Sequence, residues 1–161
     1  MFKKITKITK IKEIKHLNAR LKEAKLNARH QQAMKDHEES KINVEKFHNY
    51  RLKKEEQLVS QVLGELVTLF DIDLMNEKVN GLRGTETDLK VTVRKQKQAQ
   101  ELAYGEWQKG IEILITAQKA VDKFEYIADL ERDKENIKIQ YREDLELEEF
   151  KPIKTLEYAN I

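Results

Sequence analysis

The chain has 161 residues, of which 37% are Asp, Glu, Lys or Arg, with a net charge of +2, no Cys, one Pro and five Gly. The lack of Cys excludes a disulfide framework and thiolate chemistry, and no apolar run approaches the roughly 18 residues that a membrane span needs. Richness in Ala, Glu, Lys, Leu, Arg and Gln with a mean hydropathy of -0.76 points to long helices or coiled coil, and ordered apolar spacing argues against disorder.

The charge is unevenly placed. Residues 1–30 carry ten Lys or Arg against two Glu, and residues 122–150 carry eleven Asp or Glu against five Lys or Arg. The basic start lacks the continuous apolar stretch of a secretory signal, so a soluble, intracellular protein is expected. Ile5, Ile8, Ile11 and Ile14 recur every third residue, and each such step falls about 60° short of a helical turn. One partner helix cannot cover all four, so some are expected to be exposed, either as a frayed end or as a contact for a protein partner.

Further along, Ile14, Leu17, Leu21, Ala24 and Ala28 hold one helical register. The polar stretch from Gln31 to Lys41 interrupts it, and Val44, Phe47, Leu52, Val59, Leu63, Leu66 and Phe70 restore an apolar face. His30 and His37 are two turns apart but, with only scattered glutamates, are read as solvated surface and not as metal ligands. A second candidate, for a short break, is Phe70-Asp71-Ile72-Asp73, where either Asp could cap a new helix. The favoured reversal is Asn80-Gly81-Leu82-Arg83-Gly84, which is rich in turn-forming residues and is followed by Thr85 with Asp88 three residues on, the pattern of a helix N-cap.

The clearest periodicity follows. Leu89, Val93, Gln96, Gln100, Ala103, Trp107, Gly110, Leu114, Ala117, Val121, Phe124 and Ala128 keep alternating steps of four and three, a heptad seam. Trp107 and Phe124 are expected in its core. Pro152 should end the helix, since it lacks an amide donor and clashes with the preceding turn.

These signals predict an all-α fold, one elongated, monomeric antiparallel coiled-coil hairpin over residues 1–161. Helix 1 spans about 5–79, the turn about 80–85, helix 2 about 86–150 and a tail 151–161. Lys10 to Lys25 are then expected to lie beside Asp133 to Glu149, so that the opposite charges of the two ends align the pair. No phosphate-binding loop, HExxH or GxSxG motif is present, and no catalytic residue, cofactor or metal is expected. Nucleic-acid binding is disfavoured, because no aromatic residues interleave the basic stretch, and no membrane insertion is expected.

Three stretches together carry a resemblance. Tyr50-Arg51-Leu52-Lys53-Lys54-Glu55-Glu56-Gln57-Leu58, Ala117-Gln118-Lys119-Ala120-Val121-Asp122-Lys123-Phe124-Glu125 and Glu146-Leu147-Glu148-Glu149-Phe150, by their order, the single central turn, the chain length and the acidic end, resemble the YscO (SctO) family of type III secretion systems, whose flagellar relative is FliJ. The resemblance covers about residues 10–150. It implies a non-enzymatic central stalk that links and stimulates the hexameric export ATPase, contacts the export gate and binds export chaperones. It also implies a place in the bacterial cytoplasm beside the inner membrane, or export of the protein itself. By the same resemblance, Phe2, Lys3, Lys4, Ile5, Lys7, Ile8, Arg142, Glu146, Glu149 and Phe150 would meet the ATPase. Phe70, Leu74, Val79 and Leu82 would face the gate. The rivals are a prefoldin-like holdase chaperone, for which the middle of the chain lacks the alternating strand pattern, and a plain coiled-coil scaffold.

Overall fold

The structure is a computed structural model and describes residues 2–64 and 66–150. Two helices make up nearly all of it: α1, Phe2–Val62, and α2, Leu69–Glu149. They pack against each other as an all-α antiparallel hairpin, with no strand among the described residues. The predicted tail and Pro152 lie outside the described residues.

The reversal is not where the Asn-Gly pair predicted it. It occupies residues 63–68, and α2 runs unbroken through Asn80 to Thr85. Gly64 takes φ +115° just past the end of α1, the left-handed conformation with which glycine stops a helix. Thr68 and Asp71 then form a capping box: the amide of Asp71 donates to Thr68 Oγ1 at 3.3 Å, and the Thr68 amide donates to Asp71 Oδ2 at 2.9 Å. The Asp71 carboxyl, further fixed by the Thr68 hydroxyl at 2.7 Å, is held below the ordinary carboxylate range by these bonds. The same Thr-x-x-Asp pattern at Thr85 and Asp88 lies inside a helix, where the Thr85 hydroxyl donates back to the Gly81 carbonyl at 3.0 Å.

Packing explains the choice. The heptad seam of α2 extends upstream of its predicted start through Ile72, Met75, Val79, Leu82 and Glu86 and ends at Glu131. All twelve positions predicted from Leu89 to Ala128 are buried or half-buried. Helical glycine at 81 and 84 costs about 1 kcal/mol apiece, whereas breaking the helix there would withdraw several inward side chains from their contacts.

On α1 the inward face is also corrected. Ile14, Leu17 and Leu21 are 58%, 54% and 56% exposed, and Ala24, Ala28, Leu52, Val59, Leu63 and Leu66 are exposed as well. The residues that turn inward are Ile5, Thr9, Lys12, His16, Ala19, Glu23, Leu26, His30, Ala33, His37, Ser40, Val44 and Phe47, in steps of four and three. Two successive steps of four, Phe47 to Arg51 to Glu55, then form a stutter, which locally unwinds a left-handed supercoil. Leu58 and Val62 complete the face.

The chain divides into two compact units, Met1–Ala19 with Leu114–Ile161, and Arg20–Ile113. In the first, Ala19 and Val121 are buried, and Lys12 Nζ lies 5.4 Å from the centroid of the Phe124 ring, a cation–π contact. Thr6, Thr9, Lys10 and Glu13 line a groove with Glu125, Ala128, Asp129 and Arg132. From Arg132 to Phe150 every residue is exposed. The acidic segment therefore runs past the start of α1, and the predicted alignment of Lys10–Lys25 with Asp133–Glu149 does not occur. Lys10 lies level with Glu125 to Asp129, while Lys22, in the second unit, shares a groove with Glu106 and Lys109. Moving the reversal to 63–68 shifts the partner of each α1 residue toward the start of α2.

In the second unit, Gly110 lets the helices approach closely: a β-carbon there would stand 2.8 Å from Leu26 Cδ1. Trp107 Nε1 donates to Glu23 Oε1 at 2.6 Å, and His37 Nδ1 bonds Gln100 Oε1 at 2.9 Å. The polar stretch from Gln31 to Lys41 is thus part of the packed seam: His37 is satisfied across the interface, and the Ser40 hydroxyl donates to the His37 carbonyl of its own helix at 2.7 Å, as burial requires.

Candidate partner interfaces

Two polar clusters within the second unit stiffen the scaffold that presents any interface. His30, expected on the surface, is 7% exposed. Its ring stacks on Trp107 with centroids 5.4 Å apart and planes 15° from parallel, and tilts against Tyr104 at 5.3 Å. The second cluster centres on Glu86, 5% exposed at an inward position of α2. It accepts hydrogen bonds from Arg51 Nε, from Lys90 Nζ at 2.7 Å and from His48 Nδ1 at 3.2 Å. Lys90 and then Arg51 hold its carboxyl down at about 2. Arg51 also bonds Glu55 at 2.7 Å, and Arg83 reaches the same carboxylate at 3.1 Å, so Glu55 too is lowered, by Arg83 first and Arg51 second. These carboxylates in turn make the Arg51 guanidinium hold its proton more tightly. A buried, multiply paired charge network is poor at adding net stability but good at fixing register. Here it joins α1 to α2 at the stutter. Among the described residues no group of three or more His, Asp or Glu converges as a metal site.

The predicted gate residues divide. Val79 and Leu82 belong to the inward face of α2 and are half-buried, because α2 continues where a turn was expected. Phe70 and Leu74 are exposed. The reversal adds three exposed apolar side chains, Leu63 and Leu66, which were expected on the apolar face of helix 1, and Leu69. The second unit thus presents an apolar tip of Leu63, Leu66, Leu69 and Phe70 around the Gly64 turn. The signal was legible in Leu63-Gly64 followed by Thr68-x-x-Asp71.

The predicted ATPase residues all fall in the first unit. Lys3, Lys4, Lys7 and Ile8 are exposed, whereas Ile5 is half-buried on the inward face. The side chain of Phe2 lies outside what is described. Ile8, Ile11 and Ile14 are all exposed, as the 60° drift of a three-residue repeat requires. Arg142, Glu146 and Glu149 lie on the stretch of α2 beyond the inward face, Phe150 directly follows it, and all four are exposed. Lys3, Lys4 and Lys7 give this region a basic component on α1, and Glu146 and Glu149 an acidic one on α2.

A two-helix antiparallel pair with unpaired apolar residues at its reversal and a surplus stretch of helix beyond its paired part defines a coiled-coil interaction protein. The sequence pattern of the type III secretion protein YscO matches residues 5–152, and the chain belongs to that family. A search of the curated proteins finds no match. Among solved structures, the type III secretion protein YscO from Vibrio parahaemolyticus is similar in fold. The TM-score is 0.81 at 23% sequence identity, over 92% of this chain and 94% of that one. The protein is therefore a type III secretion component. No helix among the described residues is long and apolar enough to cross a membrane.

Proposed function

We propose that this chain is the non-enzymatic central stalk of a type III export apparatus in the bacterial cytoplasm. It links and stimulates the hexameric export ATPase and contacts the export gate. Membership in the YscO family supports this reading, and the observation that carries it is that exposed basic residues at the start of α1 and the exposed acidic end of α2 fall in one unit, whereas the apolar tip at the chain reversal falls in the other. In the first unit, Lys3, Lys4, Lys7 and Ile8 together with Arg142 to Phe150 offer charged and apolar groups on all sides of the helices, which suits a ring that surrounds them. In the second unit, Leu63, Leu66, Leu69 and Phe70 offer an apolar tip suited to a groove on the gate protein. Ile5, Val79 and Leu82 act through the packing of the hairpin instead. Export chaperones are a further class of partner implied by the family.

The test is hydrolysis by the purified ATPase of the same secretion system with substoichiometric amounts of the full chain. Stimulation is expected, with loss of most of it on Ile8→Ser combined with Phe150→Ser, two exposed changes that leave the helices folded. Leu66→Ser with Phe70→Ser is expected to keep stimulation and lose binding to the soluble domain of the gate protein. No stimulation by the folded wild-type chain would overturn the stalk reading. Suppression of substrate aggregation in its place would favour the holdase alternative.

A further inference from the structure

Beyond Glu131 the acidic stretch of α2 is exposed at every residue, and both it and the basic start of α1 carry a row of exposed apolar side chains. On α1, Ile11, Ile14 and Leu17 lie on the outer surface and are 52%, 58% and 54% exposed. On α2, Ile137, Tyr141 and Leu145 lie beyond the last inward residue, Glu131, and are also exposed. Both rows belong to the first compact unit. We propose that a second copy of this chain covers them. In this pairing the Ile137–Tyr141–Leu145 row of each copy packs on the Ile11–Ile14–Leu17 row of the other.

Three observations point to this occupant. The first is charge. Residues 3–19 carry six Lys against one Glu, and residues 143–149 carry five acids and no base, so the row on α1 is set among cations and the row on α2 ends among anions. The second is ridge geometry. The α1 row advances by three residues and the α2 row by four. Ridges of the first kind set into grooves of the second give the near-parallel crossing of about 20° found in coiled coils. The third is that the chain cannot satisfy these rows internally. Lys12 sits over Phe124, and Thr6 and Thr9 face Ala128 and Arg132, so the acidic stretch runs past the start of its own α1. The Ile11–Leu17 row, meanwhile, is on the surface α2 does not cover. In a two-fold pair the overhanging stretch of each α2 runs parallel to the partner's α1, and the contact occurs twice, as an isologous dimer requires. The proposal does not rest on the stalk reading, since it invokes neither the ATPase nor the gate.

Sedimentation velocity of the full chain tests it, from micromolar to submillimolar protein and at low and high salt. A dimer is expected at low salt, weakening severalfold as salt screens the Lys–acid attraction. Ile14→Ser with Leu17→Ser, and separately Ile137→Ser with Tyr141→Ser, should each weaken dimerisation at least about tenfold with circular dichroism unchanged. An equimolar mixture of the two variants should recover a heterodimer, because one of the two contacts is then intact. Glu143→Lys with Asp144→Lys and Glu146→Lys, which spares every apolar residue, should also yield monomer at low salt. A monomer at every concentration overturns the proposal. So does a dimer that survives both pairs of serine changes, or a mixture of variants that stays monomeric.

Discussion

Arg51 on α1 and Glu86 on α2 form a charge-assisted hydrogen bond between two nearly buried side chains, at the point where the spacing of α1 slips and that of α2 does not. Each has further partners, Glu55 for Arg51 and Lys90 and His48 for Glu86, so removing either one leaves charges with poorer company than before. Glu86→Ala is expected to lower Tm by several degrees, and Arg51→Ala likewise. The double change Arg51→Leu with Glu86→Leu should recover most of the loss, because apolar replacement of a buried pair avoids its desolvation cost. Thermal melts followed at 222 nm decide it, and a double variant as unstable as the singles would show that the pair contributes net stability and not register alone.

The same carboxylate sets an acid limit. Its folded-state value of about 2 lies below the ordinary 4.5. The unfolded chain therefore binds its proton first as pH falls, and stability present above about pH 4.5 is lost progressively toward pH 2. Glu55, lowered in the same direction, adds to this loss. Denaturant midpoints across that window should fall for the wild-type chain and fall less steeply for Glu86→Gln. Equal slopes would assign the acid sensitivity to other groups.

His30 Nδ1 is buried with no hydrogen-bond partner among the described residues. Leaving a buried polar atom unsatisfied costs about 1–3 kcal/mol, so His30→Leu is expected to raise stability, by about 1 kcal/mol once the lost stacking on Trp107 is set against it. Trp107→Ala should do the reverse, since it also leaves Glu23 without its donor. Urea denaturation of both variants is the measurement, and destabilisation by His30→Leu would mean that the stacking outweighs the orphaned nitrogen.

Glycine substitutions locate the reversal in solution. Open space surrounds Gly81 and Gly84, and both lie within α2, so alanine at either should stabilise by about 0.5–1 kcal/mol. Gly64→Ala meets a positive φ and should destabilise. Thr68→Ala, which removes the N-cap, should cost about 1 kcal/mol. Destabilisation by Gly81→Ala or Gly84→Ala would return the turn to residues 80–85.

By itself the sequence determined the all-α character of the protein, the heptad face of α2 from Leu89 to Ala128, and the family. Each is written in local spacing or in short ordered stretches. The Ile5–Ile14 repeat also stated, through its 60° drift, that a single partner helix would leave part of it bare. Two things were decided only by the tertiary structure. Chain reversal could follow Gly64 with Thr68 and Asp71, a pattern not weighed in the sequence reading, or Gly81 and Gly84 with Thr85 and Asp88, which it favoured over a break at Phe70 to Asp73. Only continuous packing of Ile72 through Leu82 selects the first. The face of α1 that turns inward likewise had two candidates at the same spacing, and the more apolar one, Ile14, Leu17 and Leu21, lost. The α2 seam contains a Trp N–H, a Gln and a Glu at Trp107, Gln100 and Glu86, and these need partners once they leave water. Glu23, His37 and Arg51 supply them, and all three sit on the polar face of α1. Hydrophobic periodicity records how apolar a face is, but it carries no record of which polar group across the interface each polar residue will meet.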